Sequence, residues 1–70
     1  MPRAEAQAMA RALTGQDHDV YGALEGGSLT VDALCVQTGI EVSRLFPVLL
    51  RLEMDGLIRS LPGQAYARRS

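Results

Sequence analysis

Residues 51–69, RLEMDGLIRSLPGQAYARR, decide the fold. Their first five residues close a leucine-spaced helix, Gly56 follows as its stop, and two short apolar runs at 57–61 and 64–68 flank Pro62-Gly63. A glycine just past the last periodic residue is a helix terminator. Two short apolar runs around a proline-glycine turn read as a hairpin. A hairpin alone is marginal in water, so the ribbon needs a third strand or a packed helix. The extended Ser28-Leu29-Thr30 is the expected partner, paired with the first of the two hairpin strands.

Working back from that corner, the spacing predicts a helix over 42–55 whose inward face is Val42, Leu45, Leu49 and Leu52. Phe46, Leu50 and Glu53 lie one step around, with Phe46 read as core. Pro47 lacks the N–H that would bond Ser43, at a cost of ~3 kcal/mol in a regular helix interior, so a kink or a late start is expected. Before this helix, Ile40 tucks a tight turn into the core and Gly39 ends a second helix. Thr30 can cap that helix, and Val31, Leu34, Cys35 and Thr38 form its buried face. A first helix starts at His18, capped by Asp17, with Val20, Tyr21, Ala23 and Leu24 apolar and Gly26-Gly27 as its end. Residues 1–16 are alanine-rich and read as a linker remnant or an accessory N-terminal helix; 17–70 form the domain. The fold class is mainly α with a small β-hairpin: a winged helix-turn-helix, a three-helix core plus a wing.

Composition fits this architecture. A chain of 70 residues holds one domain, and a core of that size buries only about 60 % of the surface its unfolded form exposes. With 47 % hydrophobic residues but one Phe, two Tyr and no Trp, the core must be aliphatic. The single cysteine, Cys35, has no partner for an intramolecular disulfide or a shared metal, which points to a reducing compartment. No apolar run approaches the roughly 20 residues that span a bilayer, and the first residues lack a signal-peptide core. Cytoplasmic localisation, no membrane contact and no cofactor are therefore expected. His18 sits between two aspartates with no nucleophile arranged beside it, so it reads as a surface residue and the chain as non-enzymatic.

Charge is divided along the chain. Residues 1–41 carry two arginines against six carboxylates, a balance of −4, whereas residues 42–70 carry five arginines against two carboxylates, a balance of +3. Every basic residue is arginine, which suits bidentate contact with phosphates and guanine edges; genomic base composition produces the same bias. In a winged helix that reads DNA, the exposed face of the third helix enters the major groove and the wing touches the backbone. That face would present Ser43, Arg44, Pro47, Val48, Arg51 and Asp55. The candidate nucleic-acid-binding residues are Ser43, Arg44, Arg51, Arg59, Arg68 and Arg69, the last two expected to be mobile at the chain end. Arg44 and Arg51 are seven residues apart, two turns along one side. No asparagine or glutamine stands there to read adenine, and the wing tip at 62–64 has no basic residue. The competing set, Phe46, Pro47, Leu50 and Met54, would form a protein-interaction surface. Tyr66 is expected to cap the core.

The run VYGALEGGSLTVDALCVQTGIEVSRLFPVLLRLEMDGLIRSLPGQAYAR over residues 20–68 resembles the C-terminal winged-helix domain of the DNA-processing protein family DprA, also called Smf. The carrying features are Leu-Thr-x-Asp-x-Leu, Thr-Gly-Ile and Leu-Leu-x-Leu-Glu-x-x-Gly-Leu-Ile-Arg-x-Leu-Pro-Gly. The resemblance implies a parent family that binds single-stranded DNA and helps load the recombinase RecA in natural transformation. Those activities belong mainly to a Rossmann-like domain that these 70 residues do not include. For the module itself the resemblance implies a non-catalytic accessory role. Its expected partners are DNA, bound weakly, the Rossmann-like domain of the parent, RecA or a second copy.

Overall fold

Gly56 turns the corner between the longest helix and the wing. A computed structural model describes Ala8 and residues 12–69, so the expected linker or helix at 1–16 falls largely outside it. Within those residues the chain forms α1 (Gly15–Ala23), a 3-10 turn (Leu24–Gly26), β1 (Leu29–Thr30), α2 (Val31–Thr38), α3 (Val42–Met54), β2 (Ile58–Leu61) and β3 (Ala65–Arg68). The chain axis turns through 107° between α2 and α3, within the range of a helix-turn-helix. At the end of α3, Gly56 adopts a left-handed φ of 78°. Its N–H bonds the Glu53 carbonyl at 3.0 Å, and the Leu57 N–H bonds the Leu52 carbonyl at 3.0 Å. These two bonds form a Schellman closure, which satisfies otherwise orphaned helix carbonyls. Leu52 and Leu57, its apolar pair, are both buried.

The sheet corrects one expectation. Strand order is β1-β3-β2, all antiparallel, so the β1 segment pairs with the second hairpin strand and not the first. Leu29 lies opposite Tyr66, and Ser60 lies opposite Tyr66 on the other side. The reason is where the helices hold each end: β2 follows α3 after the three-residue corner at Gly56, whereas β1 runs without a break into α2. Only the returning strand lies between them. One more bond ties the wing to the helices, from the Val31 N–H at the start of α2 to the Gln64 carbonyl at the wing tip, 2.9 Å. It satisfies a donor that the helix itself leaves unpaired.

Helix boundaries follow local chemistry where that chemistry is free to act. Thr30 caps α2, its Oγ1 accepting from the Ala33 N–H at 3.2 Å, and Gly39 ends it at φ 72°. At α1 the expectation fails: the helix begins at Gly15, three residues before His18, and Thr14 occupies the cap position without a side-chain cap bond. Asp17 is already inside the first turn, and its carboxylate meets Arg51 instead. Of the two proline expectations the late start is not met, since α3 starts at Val42 and continues through Pro47.

The core gathers Val20, Leu24, Val31, Leu34, Ile40, Leu45, Val48, Leu49, Leu52, Leu57 and Ile58, with Tyr21, Leu29, Cys35 and Tyr66 packed against its edge. Tyr66 thus has the expected place against the core. On α3 the buried face is Leu45, Val48, Leu49 and Leu52. Val48, read as part of the exposed face, is core, whereas Val42 and Phe46, read as inward, are about half exposed. At about 100° per residue, Phe46 stands a full step beyond Leu45, and Val42 is the first residue of the helix, with neighbours on one side only.

Arg68 is not a free chain end. Its Nε and Nη2 both donate to the Tyr21 carbonyl, at 3.0 and 2.8 Å, and its guanidinium carbon lies 3.9 Å from the centroid of the Tyr21 ring. A cation at the C-terminal end of α1 also complements the helix dipole. The last wing strand is thereby clasped to the first helix, 47 residues earlier.

Two substitutions test these closures. Gly56→Ala forces a left-handed conformation on a residue with a Cβ, so urea unfolding should show a loss of about 1–2 kcal/mol. Arg68→Ala removes a charge-assisted bond and the ring contact, and should lower unfolding stability by about 1–3 kcal/mol, with Arg68→Lys recovering only part because it lacks the planar fork.

Candidate nucleic-acid interface

The exposed surface of α3 has two flanks. One carries Arg44 and Arg51, seven residues apart and therefore on nearly the same side of the helix. The other carries Val42, Phe46, Leu50 and Met54, repeated every four residues and 48, 47, 58 and 78 % exposed. Ser43 and Pro47, both exposed, lie between them. The amphipathic period of α3 thus buries one leucine face and leaves an outer arc that is half cationic and half apolar.

The sequence-derived arginines have separate fates. Arg44 and Arg59 are exposed and make no salt bridge or side-chain hydrogen bond among the described residues. Arg59 stands on β2 opposite Ala67, on the face of the strand turned away from buried Ile58. Arg69 is exposed, and its backbone N–H extends the wing ladder to the Leu57 carbonyl at 3.0 Å. Arg51 reaches across to α1, where its Nη1 donates to Asp17 Oδ2 at 3.3 Å. Arg68 is half-buried and engaged with Tyr21. Three of the five arginines in the second half thus have guanidinium groups without a described partner, and two are occupied within the fold.

The apolar flank borders a shallow groove of about 450 Å³ lined by Phe46, Pro47, Leu50, Glu53 and Tyr66. Glu53 is held there by the hydroxyl of Ser60 on β2, which donates to its Oε2 at 3.2 Å. All four residues of the competing protein-interaction set, Phe46, Pro47, Leu50 and Met54, are exposed, three of them lining this groove. Val42 extends the set and was missed because its seven-residue spacing to Leu49 reads as core. The four-residue repeat through Met54 was the signal for it. Asp17 was also missed as a neighbour of the arginine flank. It is 34 residues from Arg51, and no local pattern links the two. His18 is exposed beside Asp19, at 3.8 Å, and no group of three or more potential metal-ligating side chains occurs among the described residues.

Comparison with known proteins rests on one match. A family model described as the DprA winged helix domain matches residues 4–64. No curated protein and no solved structure gives a match. The matched span contains α1, α2, α3, β1 and β2, and it ends in the turn before β3. With most of its length matched, and with the three-helix frame and wing expected of such a domain, the chain belongs to the DprA winged-helix domain family.

Proposed function

We propose that this domain is a non-catalytic accessory module that adds weak phosphate contacts to a DprA-like DNA-processing protein in the cytoplasm. The observation that supports this reading is the arginine flank of α3, with Arg44 fully available and Arg51 beside it. Arg59 and Arg69 add positive charge on the wing. In a winged helix these are the elements that meet a duplex, the third helix in the groove and the wing on the backbone. The flank supplies charge without base-reading amides, so its contacts position nucleic acid and do not select a sequence. Single-strand binding and RecA loading would remain the work of the parent, with this module raising the local concentration of DNA.

A titration of the domain with labelled duplex and single-stranded DNA at two salt concentrations tests this. Measurable binding at low salt is expected, with an affinity that falls as salt rises by about 0.9 log units per log unit of salt for each phosphate contacted on duplex. Arg44→Ala combined with Arg51→Ala should weaken binding and reduce that slope by about one contact. An unchanged affinity in the double variant sinks the proposal.

The exposed apolar flank favours a second reading, in which Phe46, Pro47, Leu50 and Met54 dock a protein, the Rossmann-like domain of the parent, RecA or a second copy. Light scattering on the domain and pull-down with that Rossmann-like domain and with RecA should then register association that Leu50→Glu abolishes. A monomer that captures neither excludes it.

A further inference from the structure

We infer that Asp17 is a fixed competitor for phosphate that holds Arg51 partly out of service, setting the affinity of the arginine flank below what its cations alone would give. This inference rests on the nucleic-acid reading above. Asp17 lies in the first turn of α1, where the helix dipole favours a carboxylate. Its side chain is only 17 % exposed, against 58 % for Arg51, so the anion is the enclosed partner and the cation the accessible one. Asp17 makes no cap bond for α1, and its one described side-chain partner is Arg51. The packing of α1 on α3 brings the two together across 34 residues.

A single Nη1–Oδ2 contact at 3.3 Å uses one of the five N–H donors of a guanidinium. The remaining donors stay free, so the pair restrains Arg51 without sealing it. A phosphate approaching Arg51 meets the Asp17 carboxylate within a few ångströms and must share or displace it. Arg44, two turns earlier, borders a hollow with Glu41 but makes no ion pair among the described residues. The flank therefore holds one cation without an ion-pair partner and one restrained by Asp17, and replacing that carboxylate by an amide should release the second.

The test measures affinity of the 70-residue domain for a labelled duplex at low salt and across a salt series, with native protein, Asp17→Asn, Asp32→Asn, Arg51→Ala and the Asp17→Asn, Arg51→Ala pair. Asp32 lies on α2, exposed, and makes no described contact with Arg51, so its substitution reports the effect of net charge alone. Asp17→Asn should bind about two- to fivefold tighter than native, the scale of an exposed ion pair, and its salt dependence should steepen toward one additional phosphate. Arg51→Ala should change native binding little and should remove the gain in the Asp17→Asn background. Circular dichroism and the urea midpoint confirm that each variant is folded. Native protein that binds while folded Asp17→Asn binds no tighter, or equal tightening in Asp32→Asn, overturns this inference and leaves the nucleic-acid reading standing. Absence of binding by every protein overturns that reading and the inference with it.

Discussion

The left-handed turn at Gly56 is the constraint on which the rest of this small domain depends. It ends α3 with two backbone bonds, buries Leu57 beneath Leu52, and aims the chain straight into β2. Because only Asp55, Gly56 and Leu57 separate α3 from β2, the position of the wing follows the axis of α3. That fixes β3 as the inner strand, brings Tyr66 against the core, and delivers Arg68 to the C-terminal end of α1. In a chain of 70 residues with an aliphatic core of limited size, such polar closures between distant segments matter more than they would in a larger domain.

The same residue type serves opposite ends within this frame. Arg68 lends its planar group to a backbone carbonyl and an aromatic face, and so acts as a structural rivet. Arg51 is tethered to a carboxylate on another helix, while Arg44 and Arg59 stand in solvent with no described partner. A count of arginines along the sequence treats all of these as equal. The fold sorts them by what lies within about 4 Å of each guanidinium, and only that sorting says how much positive charge faces outward.

Legibility in the sequence followed the range of each interaction. Gly39, Gly56 and the Thr30 cap act over three or four residues, and each element end they mark is where the pattern placed it. The pairing of β1 was misread because strand choice depends on where α2 and α3 are held, which no local pattern encodes. On α3, Leu45, Leu49 and Leu52 were clear, but the edges of the buried arc were not: Val48 and Val42 are both apolar, and only the packed neighbours decide which is covered. Phe46, one step around from the inward leucines, was read as core, and its exposure is what makes the apolar flank visible. Of the candidate site, the two arginines on α3 were legible as a pair, whereas the acidic neighbour of one of them was not.

The hydrogen bond from Val31 to Gln64 has a mechanical consequence. A hairpin tip in solvent ordinarily fluctuates on its own, but here its carbonyl takes up a donor that α2 leaves open, so a swing of the tip strips the Val31 N–H of its partner. The wing tip and the start of α2 are therefore tied to each other. A displacement of the tip is thus felt at the first residue of α2 and is not absorbed by a loose loop.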